Sequence, residues 1–170
     1  MIVLRVLVVT AMISLAVALQ VAFFPYLSYD GVVPNIALLI VVAAALVRGP
    51  EFAAVIGFLS GLAIDLAPPA DHVAGRWALA LVVVGYLAGR VRHDARTSAI
   101  AAIVTVAASS FIGTSIFVLS GLVLRDPSVP VAEALQVLPV AVVYDVLLTP
   151  FVLPLMMRLF RRLETRRVAY

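Results

Sequence analysis

The sequence predicts an all-α, polytopic membrane protein with six transmembrane helices, and three observations carry that prediction. Hydrophobic residues occupy 65% of the 170 positions and the mean hydropathy is +1.20, whereas a soluble domain contains about 45–50% apolar residues. The apolar residues form six runs, separated by short stretches that contain Pro, Gly or charged residues. All twelve basic residues are arginines, and they cluster at the ends of alternate runs, which is typical of membrane topology.

The first three runs differ in how well their length fits a bilayer. Ile2–Phe24 is long enough to cross about 30 Å of hydrocarbon at about 1.5 Å per residue. It is also too long for the hydrophobic region of a signal peptide, so we expect it to be retained. Pro34–Val47 follows. Phe52–Leu66 is only about 22 Å long, so we expect neighbouring helices to shelter the second and third segments.

The remaining three runs complete the prediction. Trp77–Val91 begins with a tryptophan that suits a membrane interface. Thr97–Leu124 is long and has a hydroxyl-rich middle. Leu135–Met157 contains three prolines and an aspartate near its middle. We therefore predict a six-span membrane domain over residues 1–157 and a basic cytoplasmic tail over residues 158–170.

The arginines predict the orientation of the six spans. With the N-terminus in the cytoplasm, ten arginines lie inside and two, Arg76 and Arg125, lie outside. This bias places both termini in the cytoplasm. The clustering of arginines beside apolar spans favours contact with the membrane over contact with nucleic acid. We interpret the basic tail as an orientation signal, with binding to anionic lipid or to an acidic cytosolic partner as the alternative.

Several kinds of chemistry have no residues to support them. The sequence contains no Cys, which excludes disulfides and thiolate metal sites. Its two histidines, His72 and His93, both lie in turns, which disfavours a histidine metal site. Ser60 lies in GFLSG, which is not the spacing of a nucleophile elbow. No phosphate-binding loop is present. We expect a protein that is not an enzyme and has no cofactor.

Two glycine pairs stand out within residues 57–89. Gly57 and Gly61 lie in the third segment, and Gly85 and Gly89 lie in the fourth. Each pair has the spacing that places both glycines on one helix face and allows another helix to approach closely. We expect these faces to pack the third and fourth segments against each other or against the helix of a partner.

Two carboxylates fall within or beside apolar segments. Asp65 follows Gly61 by four residues and shares its helix face. It either reaches the outer interface or serves as a polar anchor towards a partner helix or a cavity. Asp145 lies in the middle of the last segment. It either joins the hydroxyl-rich face of the fifth segment as structural glue or forms part of a path for a solute or proton.

Residues 34–92 contain a series of short motifs in a fixed order. They are Pro34-Asn35-Ile36, Arg48-Gly49-Pro50, GFLSGLAID over 57–65, Gly75 with Trp77 to Leu79, and GYLAGR over 85–90. This series resembles the rod shape-determining protein MreD family, which shows a Pro-Asp-Leu/Ile helix start, a Gly-Phe-x-x-Gly-Leu-x-x-Asp-Leu core and a Gly-x-x-Ala-Leu approach to the next helix. Asn35 stands where the family often has Asp, so a hydrogen-bonding role there survives whereas an ionised one does not.

The resemblance implies a non-enzymatic component of the bacterial inner membrane that serves cell elongation and peptidoglycan synthesis. The resemblance also implies binding to the bitopic protein MreC and a link between MreB filaments, RodA and a class B penicillin-binding protein. The fold of the family is similar to that of the S components of energy-coupling factor transporters. The alternative function is therefore a substrate-binding S component, with a pocket lined by residues 26–33, residues 67–76 and the hydroxyls of the fifth segment.

The glycine pairs and the polar residues within the apolar segments have different roles in the different functional hypotheses. In the scaffold hypothesis, Gly57, Gly61, Gly85 and Gly89 dock the single span of the partner, with Asp65 and Gly75 beside them and Asn35 and Asp145 as structural polar residues. A third hypothesis uses Asp65 and Asp145 as a catalytic pair. It is disfavoured because we expect Asp65 near the outer edge and Asp145 at mid-membrane, and two-carboxylate chemistry needs both groups close together.

Overall fold

The structure is a computed structural model that describes residues 2–29, 31–69, 72–96, 98–126 and 131–163. Every regular element in this part of the chain is helical, and the only strand-like pairing is an isolated bridge between Tyr29 and Val32. The helices are α1 Ile2–Ala22, α2 Ile36–Arg48, α3 Pro50–Asp65, α4 Arg76–Arg90, α5 Arg92–Ala95, α6 Ala99–Val123 and α7 Val131–Leu163, with a 3₁₀ turn at Phe24–Leu27.

Each of the six predicted segments corresponds to a helix, and the structure adds the short helix α5 in the charged turn after α4. Three helices, α1, α6 and α7, are long and apolar enough to cross a membrane, and α2 is a shorter apolar helix. The number of spans stays a prediction. Helix α7 continues to Leu163 because Phe160 in its last turns is fully buried. The first six residues of the predicted tail are therefore helical, and residues 164–170 lie outside the described residues.

Helix α2 is the centre of the bundle. Every residue from Ile36 to Val47 is buried, and α2 is in contact with α1, α3, α4, α5, α6 and α7. A helix that is apolar on all sides is stable only when other elements surround it. Its 13 residues span about 20 Å, which is less than the thickness of a bilayer's hydrocarbon. The start of α2, at the buried Asn35, therefore lies within the bundle, and its backbone amides need partners there.

The closest helix pair is α3 and α4, and glycines make the close approach possible. A Cβ atom on Gly61 would overlap the backbone of Trp77 and Ala78 in α4. The other three glycines make equivalent approaches across the same interface: Gly57 to Leu81, Gly85 to Ala53, and Gly89 to Pro50. Both glycine pairs therefore face each other inside the protein, and the two helices form a tight antiparallel hairpin.

This placement corrects the hypothesis that the glycines dock a partner's helix. Of the two alternatives that the sequence leaves open, the structure shows mutual packing of α3 and α4. The surfaces of Gly57, Gly61, Gly85 and Gly89 are occupied by the protein's own backbone, so no second helix can reach them while the hairpin is intact.

The outward faces of the long helices are apolar. Val3 in α1, Ile100 in α6 and Phe151 in α7 are each at least 70% exposed, and further exposed Leu, Val and Phe residues continue along the same helices. Soluble monomers rarely expose apolar surface on this scale, and such surface marks contact with a membrane or a partner. These faces suit the hydrocarbon of a bilayer.

We expect Gly61→Leu to destabilise the protein itself. The new side chain would overlap the backbone of Trp77 and Ala78, and overpacking of this kind costs about 1–3 kcal/mol or more. Thermal unfolding of the detergent-solubilised protein would show the loss. Ala108→Leu adds the same kind of side chain at an exposed position of α6 and should leave the unfolding temperature almost unchanged. Equal unfolding temperatures for Gly61→Leu and the unsubstituted protein would contradict the observed packing.

Candidate functional site

The side chain of Asp65 lies at the end of α3 and holds the turn that leads into α4. Its Oδ1 atom accepts hydrogen bonds from His72 Nε2 at 3.0 Å and from the Trp77 amide at 3.1 Å. Its Oδ2 atom accepts from the Gly75 amide at 2.8 Å and from the Ala78 amide at 3.1 Å. Asp65 is only 1% exposed, so all of its acceptor capacity is directed into the protein.

Helix α4 needs this carboxylate because its own N-cap residue provides no side chain. Gly75 precedes the helix at a φ of +99°, a backbone conformation that favours glycine. The first amides of a helix have no partner within the helix, and a negative charge at that end is favourable. Asp65 therefore caps α4 from another helix. This gives the predicted polar anchor an internal role, and Gly75 is part of it.

A buried ion pair ties the same turn to the end of α6. Arg76 is 2% exposed, and its Nη1 atom lies 2.7 Å from Asp126 Oδ2. Its Nη2 and Nε atoms donate to the Phe117 carbonyl at 2.7 and 3.2 Å. The Val73 amide donates to Asp126 Oδ2 at 3.1 Å. Removal of one partner from a buried pair leaves an uncompensated charge, so Arg76 and Asp126 stabilise the structure only together.

Aromatic rings cover this ion pair. The Arg76 guanidinium lies 3.9 Å from the centroid of the Phe117 ring. The Trp77 ring stacks on Phe117 with centroids 4.5 Å apart, and the His72 ring meets it edge-on at 5.2 Å. Gly121 provides the space for the guanidinium, because a Cβ atom there would overlap Arg76. We call Asp65, His72, Arg76, Trp77, Phe117 and Asp126 the polar cluster.

The second buried carboxylate, Asp145, joins three helices. Its Oδ2 atom accepts a hydrogen bond from Ser110 Oγ in α6 at 2.6 Å, and its Oδ1 atom accepts from the Asn35 amide at 2.7 Å. The Thr149 hydroxyl donates to the Asp145 backbone carbonyl at 2.7 Å. Asp145 is 1% exposed. The hydroxyl-rich face of α6 is thus connected to α7 through this carboxylate, the arrangement expected of structural glue.

Asn35 caps the central helix, and Asp145 holds Asn35 in place. The Asn35 Oδ1 atom accepts a hydrogen bond from the Leu38 amide at 3.0 Å, which is the usual geometry of an N-cap. An amide does this as well as a carboxylate, so Asn35 can fill the position that the resemblance gives to Asp. A carboxyl group here would lie beside Asp145, and two neighbouring carboxylates repel each other when both are ionised.

A shallow, mostly apolar groove lies between Tyr29, which follows the 3₁₀ turn, and the first half of α7. Its volume is about 360 Å³, and Tyr29, Pro139, Val140, Val143 and Tyr144 line it. The groove differs from the pocket that the transporter hypothesis predicts. Loop one contributes Tyr29 to it, whereas described residues of the third loop take part in the polar cluster and Ser110 is bound to Asp145. Asp30 and residues 70–71 lie outside the described residues.

The arrangement of both carboxylates favours structural roles over chemical ones. Four donors saturate Asp65 and two donors hold Asp145, and the two groups share no hydrogen-bond partner. Across residues 2–29, 31–69, 72–96, 98–126 and 131–163, no group of three or more His, Cys, Asp or Glu side chains could hold a metal ion. The catalytic-pair hypothesis therefore gains no support from the geometry.

Sequence reasoning missed most of the polar cluster. The sequence identifies Arg76 only as one of two outside arginines and His72 only as a turn residue, and it assigns no role to Asp126. One local feature could have indicated the contact between Asp65 and His72. The two residues are only seven positions apart, and Pro68 and Pro69 between them predict a turn that brings them together. Comparisons of the chain with protein-family models, with curated proteins and with solved structures return no match.

We expect Asp65→Ala to expose the dependence of α4 on its cap. The change leaves the Gly75, Trp77 and Ala78 amides and His72 without their acceptor, and each buried unpaired group costs about 1–3 kcal/mol. The unfolding temperature should fall, and hydrogen–deuterium exchange should accelerate at those three amides.

The matched control for this prediction is Glu51→Gln, which neutralises an exposed carboxylate in the first turn of α3. Its effect should stay within about 1 kcal/mol, without faster exchange at the start of α4. Unchanged exchange at the Trp77 amide in Asp65→Ala would show that the cap is not needed.

We expect a double-mutant cycle between Asp145→Ala and Ser110→Ala to reveal coupling between about 0.6 kcal/mol, the average for hydrogen bonds between membrane helices, and about 1.7 kcal/mol, the largest such value. Alanine is used at position 145 because asparagine would still accept a hydrogen bond from Ser110. The free energy of unfolding in detergent provides the measurement. Ser109→Ala is the control, because this neighbouring hydroxyl is buried and makes no hydrogen bond to Asp145. Additive effects for Asp145 and Ser110 would argue against the α6–α7 connection.

Proposed function

We propose that this chain is an MreD-like scaffold of the cell-elongation complex, which acts in peptidoglycan synthesis by binding a bitopic MreC-like protein. The observation that carries the proposal is the construction of the α3–α4 hairpin. Gly57, Gly61 and Asp65 belong to the GFLSGLAID stretch of the resemblance, and each contacts the start or middle of α4. The motif residues are thus the ones on which the hairpin depends.

The proposed topology has six spans in the bacterial inner membrane, with both termini in the cytoplasm. The three long apolar helices support a membrane location. The short helices α2, α3 and α4 span with them in this proposal, because the surrounding helices shelter their ends. The bias of arginines towards one side supports the orientation.

The docking mechanism differs from the one that the glycine pairs alone predict. Since the hairpin fills the glycine surfaces, the span of the partner packs on the exposed apolar faces of the bundle. Membrane helices associate through packing and interhelical hydrogen bonds, and the exposed faces of α1, α6 and α7 offer packing surface. RodA, a class B penicillin-binding protein and MreB are further proposed partners of the assembled complex.

The proposed scaffold has no catalytic step and no cofactor. The burial of both aspartates and their hydrogen bonds to groups of the protein support this part of the proposal, because a general acid or base must reach its substrate. The function then rests on the shape of the bundle and on its contacts with other membrane proteins.

A second candidate function is that of an S component for a small solute. The groove beside Tyr29 favours it, because loop one contributes to the lining. However, the Tyr144 hydroxyl already donates to the Leu27 carbonyl at 2.9 Å. A solute site needs a few well-placed polar groups to fix its ligand, and the lining of this groove offers mainly apolar side chains.

Co-purification tests the proposed function. We expect the tagged chain to retain the bitopic MreC-like protein of the same bacterium when both are co-expressed and extracted in mild detergent. An unrelated bitopic protein with a single span of equal length serves as the control and should not be retained. Purified chain that carries a bound vitamin and no bitopic partner would overturn the scaffold proposal in favour of solute uptake.

Co-purification of the Gly61→Leu variant tests whether the glycine face itself binds the partner. We expect the substitution to lower the unfolding temperature and the yield of the complex together, because it acts through the hairpin. Loss of the complex at an unchanged unfolding temperature would instead restore the glycine face as the docking surface.

A further inference from the structure

One end of the bundle, where α2, α4 and α7 end and α3 and α6 begin, is rich in arginine. We call it the basic end. Phe160 of α7 packs edge-on against Phe52 in the first turn of α3 at 6.0 Å, which places the last turns of α7 there. Seven described arginines lie at or beside the ends of these helices: Arg48, Arg90, Arg92, Arg96, Arg158, Arg161 and Arg162.

These arginines have no acidic partners within the part of the chain that the structure describes. None of the seven forms an ion pair there, although Glu51 and Asp94 lie at the same end. The contrast with the polar cluster is clear, because Arg76 is fully paired with Asp126. The basic end therefore presents a strong positive potential that the described side chains do not neutralise.

Arg92 has the most unusual environment of the seven. Its side chain is half-buried, and its Nη1 atom lies 2.6 Å from the position that a Cβ atom on Gly49 would occupy. The guanidinium therefore rests against the turn between α2 and α3, at the negative end of the α2 dipole. It makes no hydrogen bond within the described residues, so its donors remain open for an acceptor from outside the protein.

Arg48 is held at the same turn by an aromatic support. Its guanidinium carbon lies 4.5 Å from the centroid of the Phe52 ring, and Phe52 in turn rests on the buried Phe160. Stacking leaves the edge donors of a guanidinium available. Arg48 and Arg92 thus both present donors at the turn centred on Gly49.

We propose that Arg48 and Arg92 bind the phosphate of an anionic phospholipid at the α2–α3 turn. Guanidinium groups bind phosphate oxygens in bidentate fashion, and lipid phosphates lie at the depth where membrane helices end. A lipid phosphate supplies acceptors for two guanidinium groups that form no ion pair with Glu51 or with any other described carboxylate. This inference depends on the membrane location of the chain and is independent of its role as a scaffold.

Lipid titration followed by native mass spectrometry tests the proposal. The full chain is purified in a non-ionic detergent and titrated with phosphatidylglycerol or with phosphatidylcholine of identical acyl chains. We expect tighter binding of phosphatidylglycerol. R48Q and R92Q should each weaken it about fivefold, and the double variant about 25-fold, since one arginine near an anionic surface contributes about that factor.

Two controls separate the site from general charge. R125Q removes an exposed arginine at the opposite end of the bundle and should leave the affinity for phosphatidylglycerol unchanged. The R48K/R92K variant keeps the charge but loses the bidentate geometry, so we expect an affinity between those of the original and doubly substituted proteins. R48Q alone keeps the test decisive if R92Q fails to fold, because Arg48 is exposed.

Three results would overturn the proposal. The first is equal affinity for the two lipids, and the second is undiminished phosphatidylglycerol binding in R48Q. The third is full displacement of the lipid by inorganic phosphate at comparable concentration, which would assign the turn to free phosphate and not to a lipid headgroup.

Discussion

The structure depends on satisfying the backbone amides of short helices that begin inside an apolar bundle. A buried amide without a partner is costly, and amides at the starts of α2 and α4 donate to side chains that lie outside those helices. Asp65 accepts from three amides at the start of α4, and Asn35, held by Asp145, accepts from the first turn of α2. Two buried aspartates thus allow α2 and α4 to be shorter than a bilayer is thick.

Once the start of α4 is fixed, the close approach of the hairpin follows. The glycines remove the side chains that would separate α3 from α4, and the polar cluster then joins this hairpin to α6 through Arg76 and Asp126. Helix α2 packs beside the hairpin, and Asp145 ties its start to α6 and α7. The short helices form the interior, and the long helices present their apolar faces outwards.

The sequence was sufficient to predict what depends on local pattern. The six apolar segments that form helices are predicted by hydropathy and proline positions, whereas the N-cap role of Asn35 appears only in the structure. The contacts of the polar cluster could not be predicted, because Arg76 and Asp126 are 50 residues apart and nothing in either local pattern identifies its partner. For the glycine pairs, the sequence predicts the kind of contact but not the helix that makes it. Their spacing predicts close packing but does not determine which helix fills the space, so the partner hypothesis was wrong about that surface.

The arginines at the two ends of the bundle have different surroundings. At the polar cluster, Arg76 is paired and covered by Phe117, and the carboxylate of Asp65 is saturated. At the basic end, aromatic rings support Arg48 and Arg90, yet no described carboxylate neutralises them. The buried arginine of the polar cluster thus has a carboxylate partner inside the protein, whereas the arginines of the basic end lie at or near the surface. An external anion such as a lipid phosphate is compatible with that second arrangement, because guanidinium groups bind phosphate oxygens.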